Sequence, residues 1–252
     1  MKITKAEKGV CFATSLLFAV PSVNAAWLGI IGIEGARTVQ SESKKDTTQV
    51  ETILQGVGLE LGGLSIDNTL AAKWNRDGRM TVARNWAYGY WNQNHGVSLD
   101  LIKGDFLGAG PSIGSVGYAF KDCWDSFCLR INPALAYLSN KSSTTKSREN
   151  DHGAQLNIKI DHKINDRFSL GFHPQYAIWD SDTNGSTLKL DFNATFNLSK
   201  SGDHKLMLVH ERFAVNNRNT DMKNRFVGEG DPIAGYVPGT ESTLKLRYVY
   251  KF

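Results

Sequence analysis

The last twelve residues, Glu241-Ser-Thr-Leu-Lys-Leu-Arg-Tyr-Val-Tyr-Lys-Phe252, decide the fold. Leu244, Leu246, Tyr248, Tyr250 and Phe252 recur with a period of two, and Lys245, Arg247, Val249 and Lys251 fill the positions between them. Successive side chains of a strand point to opposite faces, so one face of this segment is wholly apolar and aromatic and the other is mostly cationic. In water such an edge would invite aggregation. It suits a strand that stands between hydrocarbon and a wet interior.

The same alternation recurs upstream. In Leu188-Lys-Leu-Asp-Phe-Asn-Ala-Thr-Phe-Asn-Leu198 the apolar set Leu188, Leu190, Phe192, Ala194, Phe196 and Leu198 opposes Lys189, Asp191, Asn193, Thr195 and Asn197. Leu156, Ile158, Ile160 and Ile164 alternate with Asn157, Lys159, Asp161 and Lys163, and Phe168, Leu170, Phe172, Tyr176 and Ile178 follow, with register breaks expected at His162 and Pro174. Val97, Leu99 and Leu101 oppose Ser98 and Asp100; Leu129, Ile131, Leu135 and Tyr137 oppose Arg130 and Asn132.

Alternation and turn residues together predict twelve strands, near 26–36, 50–61, 64–74, 79–91, 95–103, 112–120, 129–139, 154–164, 168–179, 188–198, 205–214 and 241–252. The expected fold is all-β, an antiparallel transmembrane β-barrel. Ten or fourteen strands stay open, because the Gly-rich segments of the first half alternate poorly. The connections alternate in length as a barrel with both termini in the periplasm requires. Short turns are expected at 62–63, 92–94, 121–128, 165–167 and 199–204, and long loops at 37–49, 140–153 and 215–240. Asn75 to Gly78 is a short connection on the long-loop side. Aromatic belts are expected from Trp27, Trp91, Phe120, Phe168, Tyr250 and Phe252 at one rim and Trp74, Tyr137, Trp179 and Phe213 at the other.

Residues 1–25 have the pattern of an export signal: Lys2, Lys5 and Lys8, an apolar run from Gly9 to Val20, and the small-residue ending Val23-Asn24-Ala25. The run is shorter than the roughly 20 residues of a spanning helix. Cys11 lies inside it, so it offers no lipid-anchoring cysteine at the cleavage point. Its removal takes the formal charge from +4 to +2, too little to imply nucleic acid as a partner. Cys123 and Cys128, an even pair in an exported chain, are expected to form a disulfide across a hairpin end. No second Cys/His pair completes a zinc site.

With the export signal, the terminal strand resembles the C-terminal recognition strand of bacterial outer-membrane proteins. In these the terminal Phe is read by the barrel-assembly machinery, a role that falls here on Leu246, Tyr248, Tyr250 and Phe252. The resemblance implies Sec-dependent export to the outer membrane of a Gram-negative bacterium, with periplasmic chaperones, membrane lipids and lipopolysaccharide as partners. Residues 154–252, and within them Asn165 to Leu198, also resemble the small monomeric porins typified by the oligogalacturonate-specific and sialic-acid-specific channels. That likeness implies a monomer passing small solutes. The group's lumen carries arginine tracks, whereas here lysines are as prominent.

Alternation assigns Arg130, Lys159, Lys163, Lys189, Lys245, Arg247 and Lys251 to the interior against Asp100, Asp161 and Asp191, an excess of positive charge. Rings of cations lower the barrier to an anion. The competing expectation is that these side chains pair with carboxylates and fill the barrel. Twelve strands close to a backbone diameter of roughly 24 Å, which leaves about 10 to 14 Å between side chains. That admits a small sugar acid or short oligosaccharide, unless the segment 215–240 folds inward.

Three functions are compatible with these residues: a solute channel, a closed structural or adhesive barrel, and a barrel enzyme. The enzyme is the poorest fit. His210-Glu211-Arg212 is expected near a strand rim, with Glu211 on the face opposite His210, and His95, His152, His162, His173 and His204 are scattered over separate strands and turns. No cofactor or metal site is expected, since no histidine spacing matches a metal motif. The chain shows no motif of the outer-membrane phospholipase, deacylase, palmitoyltransferase or omptin families.

Overall fold

The structure, a computed structural model, describes residues 27–40, 46–104, 112–141, 148–182, 184–216 and 239–252. Twelve strands run through the described residues: β1 (Trp27–Gln40), β2 (Asp46–Leu61), β3 (Leu64–Asn75), β4 (Met80–Tyr90), β5 (His95–Gly104), β6 (Ser112–Trp124), β7 (Phe127–Lys141), β8 (Arg148–Lys163), β9 (Phe168–Trp179), β10 (Ser186–Asn197), β11 (His204–Asn216) and β12 (Gly239–Lys251). Each pairs antiparallel with its sequence neighbours, and β1 pairs with β12, so the sheet closes into a barrel with no free edge. Closure lets the ladder donors and acceptors pair within the wall, as hydrocarbon surroundings require. The export signal at 1–25 lies outside the described residues.

Closure depends on the two ends of the described chain. The Phe252 amide donates to the Gly29 carbonyl at 2.9 Å and the Gly29 amide returns the bond at 3.0 Å. A Cβ on Gly29 would fall 2.5 Å from the Phe252 ring, so glycine is what lets the terminal aromatic lie flat against β1. His204 bonds the Tyr248 hydroxyl at 2.6 Å and stacks on Tyr250 with centroids 4.8 Å apart, which locks β11 against β12 at the same rim.

Both described ends and the turns at 62–63, 91–94, 125–126, 164–167 and 198–203 lie at one end of the barrel, here called the near end; the longer connections and the short turn at 76–79 lie at the far end. Gly62 and Gly63 form a two-residue near-end turn with φ of 56° and 82°, a conformation open to glycine at little cost. The expected turn at 121–128 is much tighter. β6 continues to Trp124 and β7 starts at Phe127, leaving Asp125 and Ser126 as the whole connection, with Asp125 at φ 50°. Cys123 and Cys128 face each other across this hairpin and form a disulfide, with Cα atoms 4.1 Å apart. At the far end β1 with β2 and β7 with β8 extend past their expected limits into the sequences first read as loops.

Two expected register breaks are absent. The pairing of β8 with β9 keeps one register from Asn157↔Gln175 to Ile160↔Phe172, and His162 (paired with Leu170) and Pro174 (paired with Leu190) take positions of the outward set. Pro174 lacks an N–H, so the ladder skips a rung without a slip.

The outward face is predominantly apolar. Ile31, Ile33, Leu99, Leu101, Val116, Leu135, Ile178, Leu208, Leu246 and Phe252 are all exposed, which only a lipid solvent makes favourable. At the near rim Trp27, Trp91, Trp124, Phe127, Phe196 and Tyr250 are also exposed and form an aromatic girdle. Trp179 and Phe213, expected in the far belt, instead point inward and are buried. His210 is a further correction. It sits midway along β11, opposite Phe192 and Leu244, rather than near a rim.

Candidate functional site: the barrel interior

Parity directs one residue in two of every strand inward, and these residues fall into two tiers. In the near tier the side chains are partly open and charged. In the far tier most of them are buried.

A cavity of about 440 Å³ occupies the interior. Arg130, Lys159, Lys189, Arg247, Asp100 and Asp191 line it, six of the residues assigned to the interior by alternation. Tyr88, Tyr90, Trp86, His173 and Gln175 complete much of its wall. Lys245 lies inward but above the cavity, buried against β11. Asp161 and Lys163 stand at the near end. Lys163 turns to Asp166 in the 164–167 turn at 2.7 Å, and this ammonium holds the Asp166 carboxyl below its ordinary range. Lys251 lies one row from the near rim, opposite Ile30.

Most interior cations have carboxylate partners. Arg247 donates two bonds to Glu34 Oε2, at 2.9 and 2.5 Å, and lies 2.8 Å from Glu51. Lys245 donates to Glu211 at 2.9 Å, and Lys189 lies 3.3 Å from both Glu211 and Asp191. Arg84 forms a two-pronged pair with Asp100 at 2.9 and 2.5 Å and lies over Trp86 at 4.9 Å. Lys121 pairs with Asp67 at 3.1 Å while capping the Tyr90 ring at 3.8 Å. Sequence reasoning missed Glu34, Glu51, Asp67 and Glu211 as counter-ions. Glu34 could have been found, since it shares a parity with Gly32 and Ala36 while Ile31 and Ile33 take the lipid side.

The exception is on the β6–β8 wall. Lys121 lies directly opposite Arg130, and Arg130 directly opposite Lys159, so three cations share one row. Like charges at such cross-strand positions repel. Lys121 is neutralised by Asp67 and Lys159 has Asp161 at 3.3 Å, but among the described residues no carboxylate reaches Arg130 within ion-pair distance. One row above, the Asn132 amide donates to Ser98 at 2.6 Å and to the Tyr118 carbonyl at 2.7 Å, bridging the interruption that Pro133 makes in the β6–β7 ladder.

The far tier has a different chemistry. Ile102, Ile113 and Leu138 pair in register across β5, β6 and β7; Val82 adjoins them from β4, and Ala177, Trp179, Phe213 and Val215 continue the apolar cluster on β9 and β11. Leu138 and Ala177 are each only 1% exposed. Gly153 makes room for the Trp179 indole, since a Cβ there would fall 2.8 Å from its ring. This apolar cluster, which Lys73, Asp151 and Lys189 interrupt opposite Val82, Leu138 and Phe213, was not expected from the sequence, although its members share the parity of Arg130, Asp100, Gln175 and Glu211.

Among the described residues the histidines form no catalytic constellation. His210 faces outward and Glu211 inward, and His162 stacks on Phe127 at 4.0 Å with Ser126 Oγ 3.3 Å away at the near rim. His95 bonds the Tyr118 hydroxyl on the outer face of β5 and β6.

Comparison with solved structures sets this geometry in context. A NanC porin superposes with a TM-score of 0.55 over 88% of this chain and all of its own, at 10% identity. An outer membrane channel from Pseudomonas putida F1 gives 0.55 over 93% of this chain and 98% of its own, at 13% identity. The fold is that of outer-membrane porins. An anion-selective porin from Comamonas acidovorans gives 0.51 over 91% and 99%, at 9% identity. No protein-family model matches the chain, and no curated protein matches it. At these identities the likeness concerns architecture alone.

Proposed function

We propose that this chain is an outer-membrane channel through which small hydrophilic solutes diffuse passively, with anions favoured along the β6–β8 wall. In this reading residues 1–25 direct export and are removed, the barrel-assembly machinery inserts the chain by its terminal strand, and the barrel works as a monomer among membrane lipids and lipopolysaccharide. The near end then faces the periplasm.

One observation carries the proposal: Arg130 lines the water-accommodating cavity in a row of three cations and, among the described residues, has no carboxylate within ion-pair distance. An anion passing there supplies the missing counter-charge. Lys189, Lys245 and Arg247, which sequence alone ranked equally, are neutralised by Asp191, Glu211, Glu34 and Glu51 and contribute less to selectivity. The cavity accepts a solute the size of a small sugar acid.

Planar-bilayer recording tests this. The folded barrel is expected to show discrete steps with anions more permeant than cations. Arg130→Glu should move the reversal potential in a salt gradient toward cation selectivity by more than Lys189→Gln does. A reversal potential unchanged in Arg130→Glu would remove Arg130 from the conduction path.

A further inference from the structure

One stretch of β11 departs from the chemistry of the lipid face. Its outward positions run Leu206, Leu208, His210 and Arg212 from the near end toward the far end: apolar side chains first, then an imidazole, then a guanidinium. His210 and Arg212 are exposed, and among the described residues neither has a hydrogen-bond or ion-pair partner. The carboxylates beside them along β11 and β12, Glu211 and Glu241, have the inward parity. Ionisable side chains facing hydrocarbon are costly unless something in the membrane partners them. Next to them the lipid face is not smooth. An open slot of about 440 Å³ lies across β8 to β12, with His210 at its far margin. Ala194 forms its floor, because it stands in one row between Leu170 and Leu208. The Phe172–Phe192 stack, centroids 4.4 Å apart, bounds the slot toward the far end.

We infer that this outer face of β8 to β12 binds a phosphorylated, acylated glycolipid, the lipid A part of lipopolysaccharide. The groups follow the order of such a lipid read from chain to headgroup. An acyl chain fills the slot over Ala194, the ester or amide carbonyl that anchors the chain accepts from His210, and the phosphate meets Arg212. Successive outward positions stand roughly 6 to 7 Å apart along a strand, so each layer of the lipid faces its own side chain. Arg37 on β1 shares the row of His210 through Leu244 and supplies a second cation. Its pair with Asp46, at 3.6 Å and mostly exposed, is one that a phosphate can displace. The cations lie on the far side of the slot, so the headgroup lies toward the far end. That end faces outward in the reading above, on which the inference rests, and lipopolysaccharide occupies that leaflet.

Native mass spectrometry of the full barrel, titrated in detergent with bisphosphorylated lipid A, its dephosphorylated form or phosphatidylglycerol, tests the site. A single lipid A adduct per barrel is expected, with the other two lipids about tenfold weaker or more, the scale of one charge-assisted hydrogen bond. Arg212→Gln should weaken lipid A by about the same factor, and Arg212→Lys by less. Ala194→Leu fills the slot and should weaken lipid A and its dephosphorylated form alike. Heat-modifiable gel migration shows that each variant is folded. These side chains face lipid, so single-channel currents and anion selectivity should be the same in all variants. Undiminished lipid A binding in Arg212→Gln and Ala194→Leu overturns the site. So does phosphatidylglycerol binding as tightly as lipid A, and so does a dimer of barrels in place of the lipid adduct. No lipid A binding with anion-selective currents intact overturns the site and leaves the channel standing. A silent barrel that binds lipid A as described overturns the channel and leaves the site.

Discussion

The near and far halves of the barrel interior are built from the same strands by the same alternation, yet they solve burial differently. In the near half, long charged side chains reach into a shared wet space, and Lys159 with Asp161 or Lys163 with Asp166 are bridges that solvent can replace. In the far half there is little solvent to fall back on. Charges there are paired through buried carboxylates such as Glu211, 3% exposed, or give way to the apolar cluster. A β-barrel interior thus need not be uniform along its axis. Only the outward face is held largely to one chemistry by the bilayer.

The contrast can be broken most severely at Glu211. Its carboxylate serves both Lys189 and Lys245, so Glu211→Ala removes the carboxylate that the buried Lys245 ammonium bonds, leaves Asp191 beside Lys189, and should cost about 3 to 5 kcal/mol in urea unfolding of the lipid-embedded barrel. A smaller effect is expected at the apolar cluster. Gly153→Ala would push a methyl group into the Ile178 carbonyl and the Trp179 ring, which should cost roughly 1 to 3 kcal/mol and displace the indole, read as a change in tryptophan fluorescence. At the near end the Cys123–Cys128 bridge closes a very short loop, so the double Cys→Ser variant should lose no more than about 2 kcal/mol in the same unfolding assay. The mildest change is Asp161→Ala, which breaks a half-exposed pair and should alter stability by less than about 1 kcal/mol. A cost at Asp161 equal to that at Glu211 would erase the distinction between the tiers.

Much of the wall was readable in the sequence, because lipid and a wet interior impose a period of two that hydropathy reports directly. All twelve strands follow from it, and even the poorly alternating β1 places Ile31 and Ile33 outward and Glu34 inward. Where reading stopped short, the cause was physical. The 121–128 turn was drawn too long because Lys121 and Asp122 look like loop residues, whereas Lys121 is an interior residue held by Asp67 and Tyr90, side chains 54 and 31 positions earlier in the chain. Pro174 and His162 suggested slips, yet a proline costs a barrel strand only one rung. The ion pairs joining Arg247 to Glu34 and Glu51 form across the seam that joins β12 to β1, which local pattern does not reveal.

The interior site was only half legible for the same reason. Parity assigned the cations to the inside, but neutralisation depends on which strands become neighbours, and that singles out Arg130 against Lys189, Lys245 and Arg247. Val82, Ile102, Ile113 and Leu138 share the inward parity. Their apolar nature marks a common patch only when the register sets them side by side, as Ile102, Ile113 and Leu138 are across three strands.

The central claim, a wet near tier beneath a dry far tier, is tested most directly by water access to single cysteines. Leu138→Cys and Lys159→Cys would be made separately in the barrel lacking residues 1–25, where Cys123 and Cys128 are bonded to each other. Labelling by a small, charged, membrane-impermeant thiol reagent would then be timed. Fast modification at position 159 and much slower modification at position 138 is the predicted result. Equal rates at the two positions in the otherwise unaltered barrel would contradict the account.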